Sequence, residues 1–172
     1  MAGSPRYLTK SRFSLAMECP AKLYYTGKAC YANRELDDPF LEALADGGFQ
    51  VGELARRYFP AGISIDTLAY RDALETTKEL LRRPSVVLFE PAFSFGDLFI
   101  RADILVKEGI GVELIEVKAA SFDPAANNSF FTKKGEVLSG WKPYLYDVAF
   151  QTWVVRNAVP EWTVEPFLMM AD

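Results

Sequence analysis

The sequence contains no histidine and only two cysteines, Cys19 and Cys30, among its 172 residues. The lack of histidine excludes histidine general bases, Ser-His-Asp triads and most zinc sites. Two cysteines are too few for a disulfide framework, and these two are not spaced as a metal-binding pair, so we expect free thiols. Any chemistry must therefore come from carboxylates, lysines, hydroxyls or these thiols.

The chain also lacks any apolar run that approaches the roughly 20 residues of a membrane-spanning helix. Its first residues, MAGSPRYLTKSR, contain no apolar segment of signal-peptide type. We therefore expect a cytoplasmic protein with no membrane partner. The net charge of −4 argues against a surface coated in basic residues for nucleic acid. A local basic groove is compatible with that value, because carboxylates at a metal site count against the total.

The composition that is present is that of an ordinary globular protein, with 50% hydrophobic and 24% charged residues. A length of 172 residues suits one domain with a substantial core, so we expect a single domain over residues 1–172.

Helical and strand patterns follow one another in a defined order. Within residues 8–25 we expect a short helix that is capped by Ser11 and interrupted at Pro20, followed by an aromatic stretch. Apolar spacing predicts further helices over residues 40–59, 67–83 and 143–157, the first two ended by proline. Short runs rich in β-branched and aromatic residues predict strands over residues 85–93, 97–106, 111–119 and 162–170. A polar loop over residues 121–142 separates the third strand from the last helix. This order predicts an α/β fold: a helix, a three-strand meander, a helix and a strand, with extra N-terminal helices.

Two of the predicted strands carry charged residues in otherwise apolar sequence. Asp103 lies in FIRADILV, and Glu116 and Lys118 lie in GVELIEVKA. Strand alternation places Glu116 and Lys118 on one face, and Asp103 can face them if the register is right. Two carboxylates with waters and a phosphate oxygen suit octahedral Mg²⁺ or Mn²⁺. A neighbouring lysine can orient or help deprotonate a water and offset transition-state charge, which indicates phosphodiester hydrolysis without histidine.

A structural interpretation of the same residues is an ion-pair network, Arg101 with Asp103 and Glu116 with Lys118. An E-x-K triplet alone is weak support for a site, because such pairs are common on solvated sheet faces. Asp103 strengthens the functional interpretation, since it lies inside an apolar run where a solvated position is harder to explain.

Asp103, followed after a hairpin by Glu116-Val117-Lys118 and flanked by helices, resembles the PD-(D/E)XK nuclease superfamily. Further segments are similar to a bacterial family of RecB-like nuclease domains of unknown function, related to CRISPR-associated and helicase-linked nucleases with an iron–sulphur cluster. These segments are SRFSLAMECPAKLYY, GFQVGELARRYFP, LFEPAF, ADILV, ELIEVKA and DVAFQ. The resemblance covers nearly the whole chain. It implies a restriction-endonuclease-like core and a Mg²⁺- or Mn²⁺-dependent (exo)deoxyribonuclease, with DNA as substrate, a role in DNA repair and a helicase or other partner protein.

The resemblance also implies roles for individual residues. Asp103 and Glu116 would bind the metal, with the Val117 carbonyl as a third ligand. Lys118 would be the catalytic lysine.

Residues with a predicted role in substrate binding lie in three other segments. Gln151 matches the glutamine of a Q-x-x-x-Y helix motif near the substrate, and Glu90 matches an acidic position near the site. Lys133, Lys134 and Lys142 form the basic cluster near the predicted strand ends and are candidate phosphate contacts. A solvated loop explains these three lysines equally well.

The chain departs from the family pattern at several positions. The tyrosine of Q-x-x-x-Y falls on Val155, and a histidine that RecB-like enzymes supply from the first helix falls on Gly52. Glu53 is adjacent, but helical geometry predicts a solvated side chain. Cys19 matches the first cluster cysteine, yet a cluster normally needs four thiolates. An iron–sulphur cluster therefore requires that this chain be the N-terminal part of a longer protein; otherwise Cys19 is a buried structural thiol.

These departures leave a second function open. The domain could be a catalytically inactive nuclease-like module that binds nucleic acid or a partner protein.

Overall fold

A computed structural model describes residues 7–28, 30–31, 39–122 and 130–171, and within these ranges the chain forms two β-sheets and five α-helices. The helices are α1 (Lys10–Glu18), α2 (Pro20–Tyr25), α3 (Pro39–Arg56), α4 (Tyr70–Leu80) and α5 (Lys142–Ala158). The strands are β1 (Leu8–Thr9), β2 (Ile63–Ser64), β3 (Ser85–Phe89), β4 (Ala92–Phe95), β5 (Leu98–Arg101), β6 (Ile104–Glu108), β7 (Gly111–Ser121) and β8 (Thr163–Ala171). The predicted α/β class is confirmed. No helix in the described ranges is long and apolar enough to cross a membrane.

The larger sheet has the strand order β2-β3-β6-β7-β8. Strand β6 is antiparallel to both of its neighbours, β3 and β7, as expected of a meander, and β8 is parallel to β7. Helix α5 provides the crossover that a parallel β7–β8 pair requires. The long β7–β8 ladder runs from Gly111 opposite Thr163 to Ser121 opposite Ala171, whereas the β6–β7 ladder ends at Ile115, so Glu116 and Lys118 are paired with β8 alone.

The predicted continuity of the first two strands was wrong, because each is divided between the two sheets. Strand β3 ends before Glu90, whose φ of 57° is in the left-handed region, and Pro91, which has no N–H to donate to a ladder. The partner strand breaks opposite this point, between Arg101 and Ile104. The resulting β4–β5 hairpin pairs with β1 in a separate three-stranded sheet. Asp103 therefore lies at the bend just before β6 and not inside a strand.

Two helices cover the two faces of the larger sheet. On one face, Phe150, Val154 and Val155 of α5 belong to a core that includes residues of β4 to β8. On the other face, Ala55 of α3 packs in a smaller core with Phe89, Ile104 and Ile115. The cores isolate the middle of β7 from water, so a charged side chain there must find its partners within the protein.

We expect Leu105→Ala to lower the free energy of unfolding by about 2–5 kcal/mol, because Leu105 is fully buried in the α5-facing core and its loss leaves a cavity. Leu68→Ala is the matched control, since Leu68 is 89% exposed, and should change stability by less than about 0.5 kcal/mol. Urea unfolding of both variants measures the difference. Equal effects would contradict the placement of the core.

Candidate active site

Three of the predicted site residues come together where β6 begins beside the middle of β7. The Lys118 ammonium lies 2.7 Å from Glu116 Oε1, as strand alternation predicted. Asp103 Oδ2 accepts a hydrogen bond of 2.7 Å from the backbone N–H of Val117, the residue between them. The bend between β5 and β6 thus holds Asp103 against the segment of β7 that carries Glu116 and Lys118. Val117, whose carbonyl is the third predicted ligand, is part of the same arrangement.

Sequence reasoning missed Lys10, the first residue of α1. Its ammonium lies 2.9 Å from Glu116 Oε1 and 3.1 Å from Glu116 Oε2. The same nitrogen is 3.6 Å from Asp103 Oδ1. Lys10 thus contacts both predicted metal ligands from a helix about 100 residues earlier in the chain. Local sequence contains no signal for this contact, because it depends on how α1 packs against the sheet.

Asp147 of α5 was also missed, although the sequence contains a signal for it. Asp147 Oδ2 lies 2.8 Å from the Lys118 ammonium, and its Oδ1 accepts a hydrogen bond of 2.8 Å from Ser14. Four residues later, Gln151 Nε2 donates to Glu116 Oε2 at 2.6 Å. Residues four apart share one face of a helix, so the predicted position of Gln151 near the site could have directed attention to Asp147.

These residues form one charge cluster of three carboxylates and two ammonium groups: Asp103, Lys10, Glu116, Lys118 and Asp147. Each ammonium group lies between two of the carboxylates. Glu116 is only 3% exposed at the centre of the cluster, where an unpaired carboxylate would cost several kcal/mol. The arrangement explains how a strand inside the fold accepts these charged residues.

Neighbouring charges keep three members of the charge cluster ionised. Burial lowers the pKa of Lys10, but Asp103 and Glu116 outweigh burial, so that the pKa is raised overall. Burial also opposes ionisation of Lys118, yet Glu116 and Asp147 raise its pKa above the ordinary value. The pKa of Glu116 is lowered, because the two lysines outweigh the effect of burial.

Asp103 behaves in the opposite way. Burial and the negative charges of Glu116 and Glu90 raise its pKa to about 6 from the ordinary 3.8, although Lys10 and the Val117 N–H act against the rise. The fold therefore opposes ionisation of Asp103, although its carboxyl group is still mostly ionised above about pH 6. A cation bound beside Asp103 would stabilise its ionised form and so lower its pKa.

A cavity of about 180 Å³ lies beside Asp103 on the α3 side of the sheet. Gly52, the position that a histidine occupies in the resembled enzymes, lines this cavity together with Val117. Glu53 also lines it, is 48% exposed and pairs with Arg56 at 3.2 Å, which agrees with its predicted solvation. No side chain from position 52 enters the cavity, because glycine has none.

Glu90 lines the same cavity, but its carboxylate is held by two arginines. Arg56 lies 3.5 Å and Arg101 lies 3.6 Å from its oxygens. Arg101 also donates to the carbonyl oxygens of Ile65 and Thr67. The predicted structural pair of Arg101 with Asp103 was therefore wrong, because the bend directs Arg101 to Glu90; the Glu116–Lys118 pair of the same hypothesis is present.

The remaining predicted lysines lie outside the charge cluster. Lys133 and Lys134 are exposed in a turn next to the Phe131–Val137 bridge, and neither makes an ion pair with the described part of the chain. Lys142 is exposed at the start of α5. Residues 123–129, which belong to the same predicted loop, lie outside the described ranges. The three lysines therefore stay candidate phosphate contacts.

The two cysteines and Val155, which stands where the family motif has tyrosine, lie outside the charge cluster. Cys19 is half-buried between α1 and α2, and Cys30 is exposed; both are free thiols. Val155 is fully buried in the core. The ring of Tyr144 is near the site instead, with its centroid 5.6 Å from the Lys118 ammonium.

The donors available for a metal ion are two carboxylates and backbone oxygen. Among the described residues, no group of three or more histidine, cysteine, aspartate or glutamate side chains could hold a metal ion. The oxygens of Asp103 and Glu116 nevertheless converge on one cation, the Lys10 ammonium. These hard oxygen donors fit Mg²⁺ or Mn²⁺, which complete an octahedron with water or phosphate oxygens.

Comparison of the chain with protein-family models, with curated proteins and with solved structures finds no match. The resemblance to PD-(D/E)XK nucleases thus depends on the sequence segments quoted above and stays a prediction. A functional conclusion must come from the chemistry of the site, because many functions share one fold.

We expect Asp103→Asn to stabilise the metal-free domain at pH 7.5 more than at pH 4.5. Because the folded-state pKa of Asp103 is raised to about 6, its favourable contribution is present below pH 3.8 and is lost as the pH rises through about 6. Asparagine can still accept from Val117 and carries no charge. At pH 7.5 the Tm of Asp103→Asn should exceed that of the wild type by at least about 2 °C in thermal unfolding.

The control for this pH dependence is Asp66→Asn, because Asp66 is exposed. Its Tm difference from the wild type should be the same at both pH values. A pH-independent difference for Asp103→Asn would contradict the raised pKa.

Proposed function

We propose that this domain is a Mg²⁺- or Mn²⁺-dependent nuclease that hydrolyses DNA phosphodiester bonds and has a restriction-endonuclease-like core. The observation that supports the proposal is the convergence of Asp103 and Glu116 on one cation position, with Lys118 beside Glu116. The order α4, β3, β6, β7, α5 and β8 agrees with the helix, meander, helix and strand expected of such a core, with the β4–β5 hairpin inserted between β3 and β6. Action from a DNA end and a helicase or other partner protein are parts of the proposal that depend on the resemblance alone.

In this proposal Asp103 and Glu116 hold the metal ion, with the Val117 carbonyl beside them. The bound ion supplies Lewis acidity at the phosphate and a more acidic water. Gln151 keeps Glu116 oriented through its 2.6 Å hydrogen bond and is itself 1% exposed, so the carboxylate has little freedom to rotate. This fixed geometry meets the requirement that a catalytic constellation be preorganised.

Lys118 acts in this scheme as a permanent positive charge. Its raised pKa, caused by Glu116 and Asp147, makes it a poor base near neutral pH. Its ammonium can instead orient the attacking water and offset the negative charge that develops on the phosphoryl oxygens. Asp147 would position Lys118 for this task, with Ser14 positioning Asp147.

A catalytically inactive module that binds nucleic acid or a partner protein is the second candidate. It is favoured by the Lys10 ammonium between the two carboxylates and by Gly52, which contributes no ligand to the cavity. The two candidates differ in metal binding and in strand cleavage, and each is tested below.

Calorimetric titration of Mn²⁺ should show binding to the wild-type domain and at least tenfold weaker binding to Asp103→Asn and to Glu116→Gln, because each variant removes one charged ligand. Glu113→Gln is the control: Glu113 is on the same strand but exposed, and its loss should leave binding unchanged. Absence of Mn²⁺ binding in the wild type would favour the inactive module.

Lys118→Met should reduce cleavage of single- or double-stranded DNA in Mn²⁺ by about 100-fold or more, because it removes the charge that faces the reacting phosphate. The assay follows end-labelled DNA at a temperature where circular dichroism shows the variant folded. Lys78→Met removes an exposed lysine from α4 and should retain wild-type activity. Equal activity of all three proteins would refute the catalytic role of Lys118.

A further inference from the structure

We infer that Lys10 is a built-in competitor of the divalent cation, so that a metal ion binds Asp103 and Glu116 together only after the Lys10 ammonium leaves them. The inference rests on the proposed function. It assigns to α1 a control over metal occupancy that the sequence pattern of the nuclease site does not include.

The geometry makes the two cations mutually exclusive. The Lys10 ammonium donates hydrogen bonds to both carboxylate oxygens of Glu116, at 2.9 and 3.1 Å, and is 3.6 Å from Asp103 Oδ1. A Mg²⁺ or Mn²⁺ ion bridging the same carboxylates would have its oxygens at about 2.0–2.2 Å. The ion and the ammonium would then need the same space, and their charges would repel each other at short range.

Several contacts hold the start of α1 at this place. The preceding strand β1 pairs with β5 through Leu8 opposite Leu98 and Thr9 opposite Phe99. One turn into the helix, Phe13 stacks on Phe150 of α5 with ring centroids 4.4 Å apart and planes 6° apart. Contacts on both sides of Lys10 in the sequence thus hold its backbone in place. The position of its ammonium group is therefore determined by how β1 and α1 pack on the domain.

The Lys10 side chain can leave without movement of the helix. It is 27% exposed and is therefore not fully enclosed by the protein. Among the described residues, its charged partners are only Asp103 and Glu116. Lys118 differs, because Asp147 holds it at 2.8 Å and would keep it in place when a metal ion binds. Lys10 is therefore the lysine that a metal ion displaces.

Occupancy by Lys10 lowers the apparent metal affinity. A ligand that binds a site available in only a fraction of the molecules has its affinity reduced by that fraction. Removal of the ammonium takes away the competitor and leaves the two carboxylates with excess negative charge. Both effects act in the same direction, toward tighter binding of the divalent ion.

The test is a calorimetric titration of Mn²⁺ into the wild-type domain, Lys10→Met and Lys10→Gln. Methionine preserves the length of the side chain without its charge, and glutamine retains an N–H donor for Glu116. Both variants should bind Mn²⁺ at least tenfold more tightly than the wild type, with a larger Tm increase on addition of Mn²⁺. Lys78→Met is the control, because it changes the net charge equally and should bind as the wild type does.

The outcomes separate the inference from the proposed function. If the wild type and both Lys10 variants bind Mn²⁺ with equal affinity, and Asp103→Asn binds it at least tenfold more weakly, the competitor role is overturned while the metal site stands. Weaker binding in the Lys10 variants would also overturn it, since Lys10 would then support the site. If neither the wild type nor any Lys10 variant binds Mn²⁺, the proposed function fails and the inference fails with it.

Discussion

The fold depends most on the neutralisation of one buried carboxylate, that of Glu116. It lies in the middle of the interior strand β7 and is 3% exposed, so its charge must be balanced by protein groups. Lys10 comes from α1, Lys118 from the same strand and Gln151 from α5. The requirement to satisfy this single group therefore fixes two helices against the sheet, in addition to the apolar cores that surround it.

The second constraint is the bend that separates the two sheets. Two backbone hydrogen bonds join the two chain segments at the bend. The Glu90 N–H donates to the Asp103 carbonyl at 3.2 Å, and the Ala102 N–H donates to the Pro91 carbonyl at 3.1 Å. The left-handed conformation of Glu90 costs a non-glycine residue about 1 kcal/mol or more, and its carboxylate is held by Arg56 and Arg101. The bend places Asp103 just before the start of β6, where the side chain can reach β7. Backbone strain and site geometry thus coincide in one segment.

Local periodicity in the sequence was sufficient to predict the element order and the shared face of Glu116 and Lys118, because alternation along a strand involves only neighbouring residues. It was insufficient for the division of strands 85–93 and 97–106. The division occurs at Glu90 and Pro91, and the proline within the run 85–93 was the local signal for it. The role of Lys10 could not be predicted from local sequence, because its contact with Glu116 joins residues 106 positions apart. Asp147 was partly predictable. Its spacing from Gln151 is visible in the sequence, but its contact with Lys118 of β7 is not.

The position of α1 has a consequence for how the domain can be divided. A shortened chain that began at Pro20 would keep Asp103, Glu116 and Lys118, the three charged residues of the nuclease-like motif. It would lose the Lys10 ammonium from Glu116, the Ser14 hydroxyl from Asp147 and the Phe13 ring from α5. The smallest autonomous unit is therefore larger than the segment that bears the motif, and its boundary must include an amino-terminal helix that the motif does not specify.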